Sequence, residues 1–205
     1  MKKRIAEIKR KTKETDITVK LNIDGKGVSK IDTGIGLLDH MLELFAFHGL
    51  FDLEIAAKGD LKVDIHHTNE DIGIVLGESF KKALGDKKGI KRFGSASVPM
   101  EDVVANVTVD ISGRGSFNLE QWKGVFVSGF MPEAQDGYEF QDLVHLLDSF
   151  AKHSGINLNI NINPMSPDLH TTLEPVFKGL GIALDQATQI DPRRKGVPST
   201  KGVID

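Results

Sequence analysis

Residues 17–23, I-T-V-K-L-N-I, alternate apolar and polar side chains, which predicts a half-buried strand. The D-G-K-G that follows reads as a turn. Residues 39–48, D-H-M-L-E-L-F-A-F-H, space their apolar positions as a helix does, and Gly49 supplies a stop. F-D-L-E-I-A-A predicts a second strand. After H-H-T-N, the run E-D-I-G-I-V-L-G-E-S-F-K-K-A-L is helical, and G-D-K-K-G ends it.

The pattern then repeats. V-V-A-N-V-T-V-D-I predicts a strand, Y-E-F-Q-D-L-V-H-L-L-D-S-F-A-K-H a helix stopped near Gly155, and I-N-L-N-I-N-I a strand. L-E-P-V-F-K-G-L-G-I-A-L-D-Q-A predicts the last helix. Proline is tolerated in a first turn, so Pro175 sets that helix's expected start near Glu174. The order implies a duplicated α+β fold, each half a β-sheet packed on two helices. The expected units are half-domains at 1–95 and 96–190 and a polar, Gly- and Pro-rich tail at 191–205, expected to stay mobile until something binds it.

Composition narrows the class. A chain of 205 residues, 40% hydrophobic and 27% charged, is ordinary for a globular protein of two fused halves. A net charge of -3 gives no basic field for nucleic acid. The absence of cysteine excludes disulfides, thiolate metal sites and cysteine nucleophiles. The basic start lacks the apolar core of a signal peptide, and no apolar run is long enough to span a bilayer. The expectation is a cytoplasmic protein without membrane or nucleic-acid partners.

The seven histidines are clustered. D-I-H-H-T-N-E-D carries His66, His67 and Glu70, and D-L-H-T-T-L-E-P carries His170 and Glu174 at the same spacing. His40 and His145 stand early in the helix of each half. Taken alone, the first motif reads at least as well as a solvated loop, and the second as a helix start with a capping carboxylate. Five histidines at repeat-related positions, 40, 66, 67, 145 and 170, are instead what two metal sites built from both halves need. Imidazole with carboxylate suits Mn, Fe, Zn, Co or Ni. Arg92, Arg114, Lys178, Ser199 and Lys201 are candidate phosphate contacts, several of them beside glycines that let a ligand approach the backbone. Arg193 and Arg194 read as solvated.

Seven segments in order, D-T-G-I-G-L-L-D-H-M-L, H-G-L-F-D-L, D-I-H-H-T-N-E-D-I-G-I-V-L-G, A-L-G-D-K-K-G-I-K-R-F-G, V-P-M-E-D, V-D-I-S-G-R and V-P-S-T-K-G, resemble the imidazoleglycerol-phosphate dehydratases of histidine biosynthesis. The resemblance runs from about Arg10 to the C-terminus and is densest through Arg114. It implies a hydro-lyase that converts imidazoleglycerol phosphate to imidazole acetol phosphate through a metal-bound imidazolate and a diazafulvene. It further implies two Mn2+ ions per active site, in a homo-oligomer of twenty-four subunits with active sites between subunits. Carried over by motif, the metal ligands are His40, His66, His67, Glu70, His145, His170 and Glu174. The phosphate contacts are Arg92, Arg114, Lys178, Ser199 and Lys201, and the acid beside the substrate is Glu14 of K-T-K-E-T.

The chain departs from the family's pattern in its second half. Thr171 replaces the second histidine of H-H-x-x-E, Val144 replaces the glutamate before His145, Asn159 replaces the histidine of the L-H-I strand, and the loop before His170 is longer. The second metal motif is thus one imidazole short. A catalytically impaired homologue that keeps the shell, and another dinuclear metalloenzyme such as a phosphohydrolase, are the alternative readings.

Overall fold

A computed structural model describes residues 3–120 and 131–204. The first sheet contains β1 (Ile5–Lys11), β2 (Thr15–Asn22), β3 (Ser29–Asp32) and β4 (Asp52–Gly59) in the order β1-β2-β4-β3. The helix α1 (Gly36–Gly49) joins β3 to β4, and α2 (Ile65–Leu84) follows β4. The second half contains β5 (Phe93–Met100), β6 (Val103–Asp110), β7 (Ser116–Leu119), α3 (Phe140–Ser154), β8 (Asn157–Ile162) and α4 (Leu169–Thr188), with sheet order β5-β6-β8-β7. In both sheets the last pair is parallel and the other two antiparallel. The duplication therefore holds down to strand pairing.

The central strands obey their alternation. Ile17, Val19 and Leu21 of β2 and Leu53 and Ile55 of β4 are buried, as are Val103, Ala105, Val107 and Val109 of β6 and Leu158, Ile160 and Ile162 of β8. α2 packs on β1 and β2, and α4 on β5 and β6. The halves then exchange helix contacts: α2 packs on α3, and α1 on α4. Glycines set how close these helices come. A Cβ on Gly77 would stand 2.7 Å from the Phe150 carbonyl oxygen, and one on Gly181 would stand 2.5 Å from that of Phe45. Only glycine fits at either crossing.

Two helices start earlier than their sequence pattern predicts. α4 begins at Leu169, not near Glu174, and Pro175 lies inside it. Asp168 caps this helix by accepting the Thr171 N–H, and buried Leu169, Leu173, Val176 and Phe177 hold it against the core despite the hydrogen bond that Pro175 cannot donate. α2 begins at Ile65, with the Asp64 side chain accepting from His66 N–H, so the histidine pair lies in its first turn. The tail packs back on the α2–β5 connection: Gly89 N–H donates to Gly196 O, and Arg92 Nη1 to Pro198 O.

Candidate metal centre and phosphate contacts

The groups at the two helix crossings draw on both halves, and a further one, Glu14, Asp60 and His67, lies within the first half. At the α1–α4 crossing, the His40 and His170 rings stack with centroids 5.1 Å apart. His170 Nε2 lies 2.8 Å from Glu174 Oε2, and His40 Nε2 lies 3.8 Å from the same oxygen. One ligand atom from each residue falls within 4.8 Å of the others. His170 and Glu174 converge because residues four apart share a helix face. The loop before α1 aims His40: the Asp39 carboxylate accepts from the backbone N–H and the hydroxyl of Thr33. The other Glu174 oxygen pairs with Lys178. Burial acts to raise the Glu174 carboxyl, but hydrogen bonds and charge from Lys178 and His170 carry it below its usual range. The group thus presents two imidazoles and an ionised carboxylate, a donor set that fits a divalent transition metal.

The repeat-related group lies at the α2–α3 crossing. The His66 and His145 rings meet edge to face at 4.6 Å, and His66 Nε2 is 3.8 Å from Glu70 Oε2. A buried bridge fixes this crossing: Asn69 donates to the Asp142 carbonyl at 2.7 Å and accepts from Tyr138 Oη at 2.9 Å. Burial keeps the Tyr138 hydroxyl protonated, well above its ordinary pKa. His66 and His145 border a cavity of about 410 Å³ with Asp64, Glu139 and Asp142. His145 Nδ1 is buried there without a hydrogen-bond partner among the described residues, an orphan that a metal ion would satisfy. Burial, reinforced by Glu139 and Asp64, raises the Asp142 carboxyl against the opposing pull of the Glu139 N–H and His145.

His67 leaves this group. Successive helix positions are about 100° apart, so its ring turns away from His66. His67 Nδ1 lies 3.2 Å from Asp60 Oδ2 and 4.0 Å from Glu14 Oε2. The hydrogen bond to Asp60 is the main reason that the His67 pKa is raised, with Glu14 adding to it. Glu14 is presented by the turn between β1 and β2, where Thr12 Oγ1 accepts from Glu14 N–H and Thr15 N–H. Asp71 ties that turn to α2 by accepting from Arg10 and Thr15. Asp60, Glu14 and His67 each bring a ligand atom within 4.8 Å of the others, and Asp60 is the one that the sequence motifs do not mark. Its signal was its place directly after a strand and shortly before the histidine pair.

The departures fall in different surroundings. Thr171 is buried and its N–H is used by the helix cap. Val144 is also buried, whereas Asn159 is exposed on β8, paired in register with Thr108 and Asn118.

The basic residues are spread out. Arg92, at φ 79°, grips Asp110 through Nε (2.6 Å) and Nη2 (3.0 Å), and borders a cavity of about 380 Å³ with Ser199 and Arg194. Asp110 holds the Arg92 pKa above its ordinary value. Lys201 N–H donates to Ser199 Oγ at 3.2 Å, and Arg114 is exposed on the loop after β6. Lys178 stands apart from these, at Glu174. Among the described residues one chain therefore brings together four separate clusters: the groups at the two helix crossings, Glu14 with Asp60 and His67, and Arg92 with the tail.

A family model described as imidazoleglycerol-phosphate dehydratase matches residues 33–184. A protein of that name from Thermoanaerobacter sp. (strain X514) is 51% identical over 201 residues, covering 98% of this chain and 100% of the relative. One from Methanocella arvoryzae is 52% identical over the same length, covering 98% of this chain and all of the relative. Among solved structures, that of the Pyrococcus furiosus protein is similar with TM-score 0.78 at 35% identity, over 96% of this chain and 99% of that one. The Staphylococcus aureus imidazoleglycerol-phosphate dehydratase gives TM-score 0.78 at 29% identity, over 91% and 99%.

Proposed function

The chain belongs to the imidazoleglycerol-phosphate dehydratase family, hydro-lyases of histidine biosynthesis, and from that premise we propose a metal-dependent dehydration carried by its own His, Glu and Arg/Lys sets. The observation that carries the reading is the convergence of His40, His170 and Glu174 from opposite halves, repeated in looser form by His145, His66 and Glu70. Manganese is the proposed metal. His40, His170 and Glu174 would hold one ion and His66, His145 and Glu70 a second; His67, whose ring turns away from His66, would ligate an ion at a site shared with another subunit.

The substrate must lose a hydroxyl beside its imidazole ring and a proton from the next carbon, which is not acidic. When bound, the two cations supply Lewis-acid stabilisation of negative charge on the ring. The protein residues do the rest. Glu14, a half-exposed carboxylate 4.0 Å from His67, accepts and returns protons. Arg92, Arg114, Lys178, Ser199 and Lys201 clamp the phosphate and so fix the distant carbons. Lys178 stands at Glu174 while Ser199 and Lys201 stand near Arg92, which favours active sites completed between subunits. Exposed Phe47, Leu50 and Val28 favour the same view, as apolar surface suited to a twenty-four-subunit shell. Among the described residues no helix is long and apolar enough to cross a membrane, and we propose a cytoplasmic location. The repeat boundary near residue 95 and a phosphate-binding role for the tail belong to the same proposal.

Buried Thr171 favours a second reading: a homologue that keeps the fold and binds metal but turns over poorly. Incubation with imidazoleglycerol phosphate and manganese, with ketone formation followed, separates the two. Turnover is expected. None, with metal bound, would select the second reading.

A further inference from the structure

Asp60 directly follows β4, and its carboxylate oxygens lie 3.2 Å and 3.4 Å from His67 Nδ1. An ionised carboxylate only accepts, so Nδ1 carries the proton, and in the neutral ring Nε2 is then the atom that keeps its lone pair. The Asp60 backbone carbonyl also accepts from Val63 N–H at 2.7 Å, which pins the loop leading into α2 to the same residue. Directly before it, Gly59 lies so close to Thr68 that a Cβ there would stand 1.8 Å from the hydroxyl oxygen. The carboxylate and the histidine turn are therefore held on one rigid junction.

The duplicated half supplies an internal control. Asp60 is the first residue after β4, and the first residue after β8 is Asn163. Where the imidazole is absent, its carboxylate is absent too. There the turn serves as a helix cap, with Asp168 accepting the Thr171 N–H at 2.7 Å.

We propose that Asp60 is a positioning residue that acts through His67: by accepting Nδ1–H it fixes the ring's tautomer and orientation and leaves Nε2 as the free donor to a divalent cation. Histidines that ligate metals commonly donate their other N–H to a carboxylate in this way, and loss of that partner weakens metal binding about 10–100-fold. The inference rests on the metal-dependent reading above.

The test is manganese binding by full-length wild type, Asp60→Ala, Asp60→Asn, His67→Ala and the Asp60→Ala/His67→Ala double variant. Asp60→Ala is expected to weaken binding about 10–100-fold. Asp60→Asn, whose amide oxygen still accepts Nδ1–H, should recover most of the loss. In the His67→Ala background, Asp60→Ala should add nothing. An equal loss in both backgrounds, or no rescue by asparagine, would overturn the proposal. If wild type binds no manganese, the metal-dependent reading fails, and solid-state 15N spectra of labelled histidine decide on Asp60 by themselves. A protonated Nδ1 on His67 that disappears in Asp60→Ala sustains the positioning role, and a neutral ring protonated at Nε2 alone in wild type overturns it.

Discussion

Thr171 and His67 occupy the same turn of their respective repeats with opposite exposures. The threonine is buried under the α4 cap, and the histidine is half-exposed beside Asp60 and Glu14. An imidazole at 171 is too large for the space the threonine fills, so it must turn outward as His67 does. Thr171→His is therefore expected to add donor capacity, raising the manganese bound per chain or its affinity at a modest cost in stability, about 1–3 kcal/mol for disturbing the packed turn. Elemental analysis after dialysis and thermal unfolding read the two effects. An unchanged metal content would mean that the missing imidazole does not limit binding. The repeated His and Glu positions were legible in the sequence because four-residue spacing on a helix is a local property. Asp60 was not, because its contact depends on how the strand end meets the helix.

Among the elements, the strands that the alternation predicted are the four inner ones, β2, β4, β6 and β8. The four it missed, β1, β3, β5 and β7, are the sheet edges, where half of each strand faces water and the apolar count falls. β5 has no fully buried residue, and β1 buries only Ala6. The helix starts differ for a related reason: polar capping turns carry no apolar period, so the pattern leaves His66, His67 and His170 in a turn, whereas the Asp64 and Asp168 caps place them in the first helical turn. The helix crossings make a prediction of their own. Gly181→Ala should gain about 1 kcal/mol in helix propensity and lose about 1–3 kcal/mol to the clash with the Phe45 carbonyl, a net destabilisation. Gly36→Ala, where a Cβ meets nothing within 4 Å, should be neutral or stabilising. Thermal unfolding of the pair compares them directly, and equal melting temperatures would contradict the close crossing.

Asp52, at the start of β4, anchors the turn that follows β2. It accepts from Lys26 N–H at 2.8 Å, Asn22 Nδ2 at 3.0 Å and Val28 N–H at 3.3 Å. The Lys26 N–H is the main cause of its lowered pKa. A carboxyl depressed in the folded state stabilises above its unfolded pKa, about 4, and that contribution is lost as pH falls through the folded value. Asp52→Asn should therefore cost about 1 kcal/mol at neutral pH. The gap in melting temperature from wild type should close as the pH is lowered below about 4. A gap independent of pH would contradict the assignment.

At the scale of the whole molecule, duplication gives each half a complete sheet, but the groups at the helix crossings each need both halves. The exchange of helix contacts, α1 with α4 and α2 with α3, is what joins His40 to His170 and Glu174, and His145 to His66 and Glu70. The duplication was legible in the order and spacing of the elements. The pairing across halves was not, because nothing in a linear pattern states which helix packs on which. The most direct measurement is anomalous diffraction from crystals of the protein reconstituted with manganese. Two peaks per chain are predicted, one contacted by His40, His170 and Glu174 and the other by His66, His145 and Glu70. No peak at the α1–α4 crossing, or ions held by ligands from one half alone, would contradict the account.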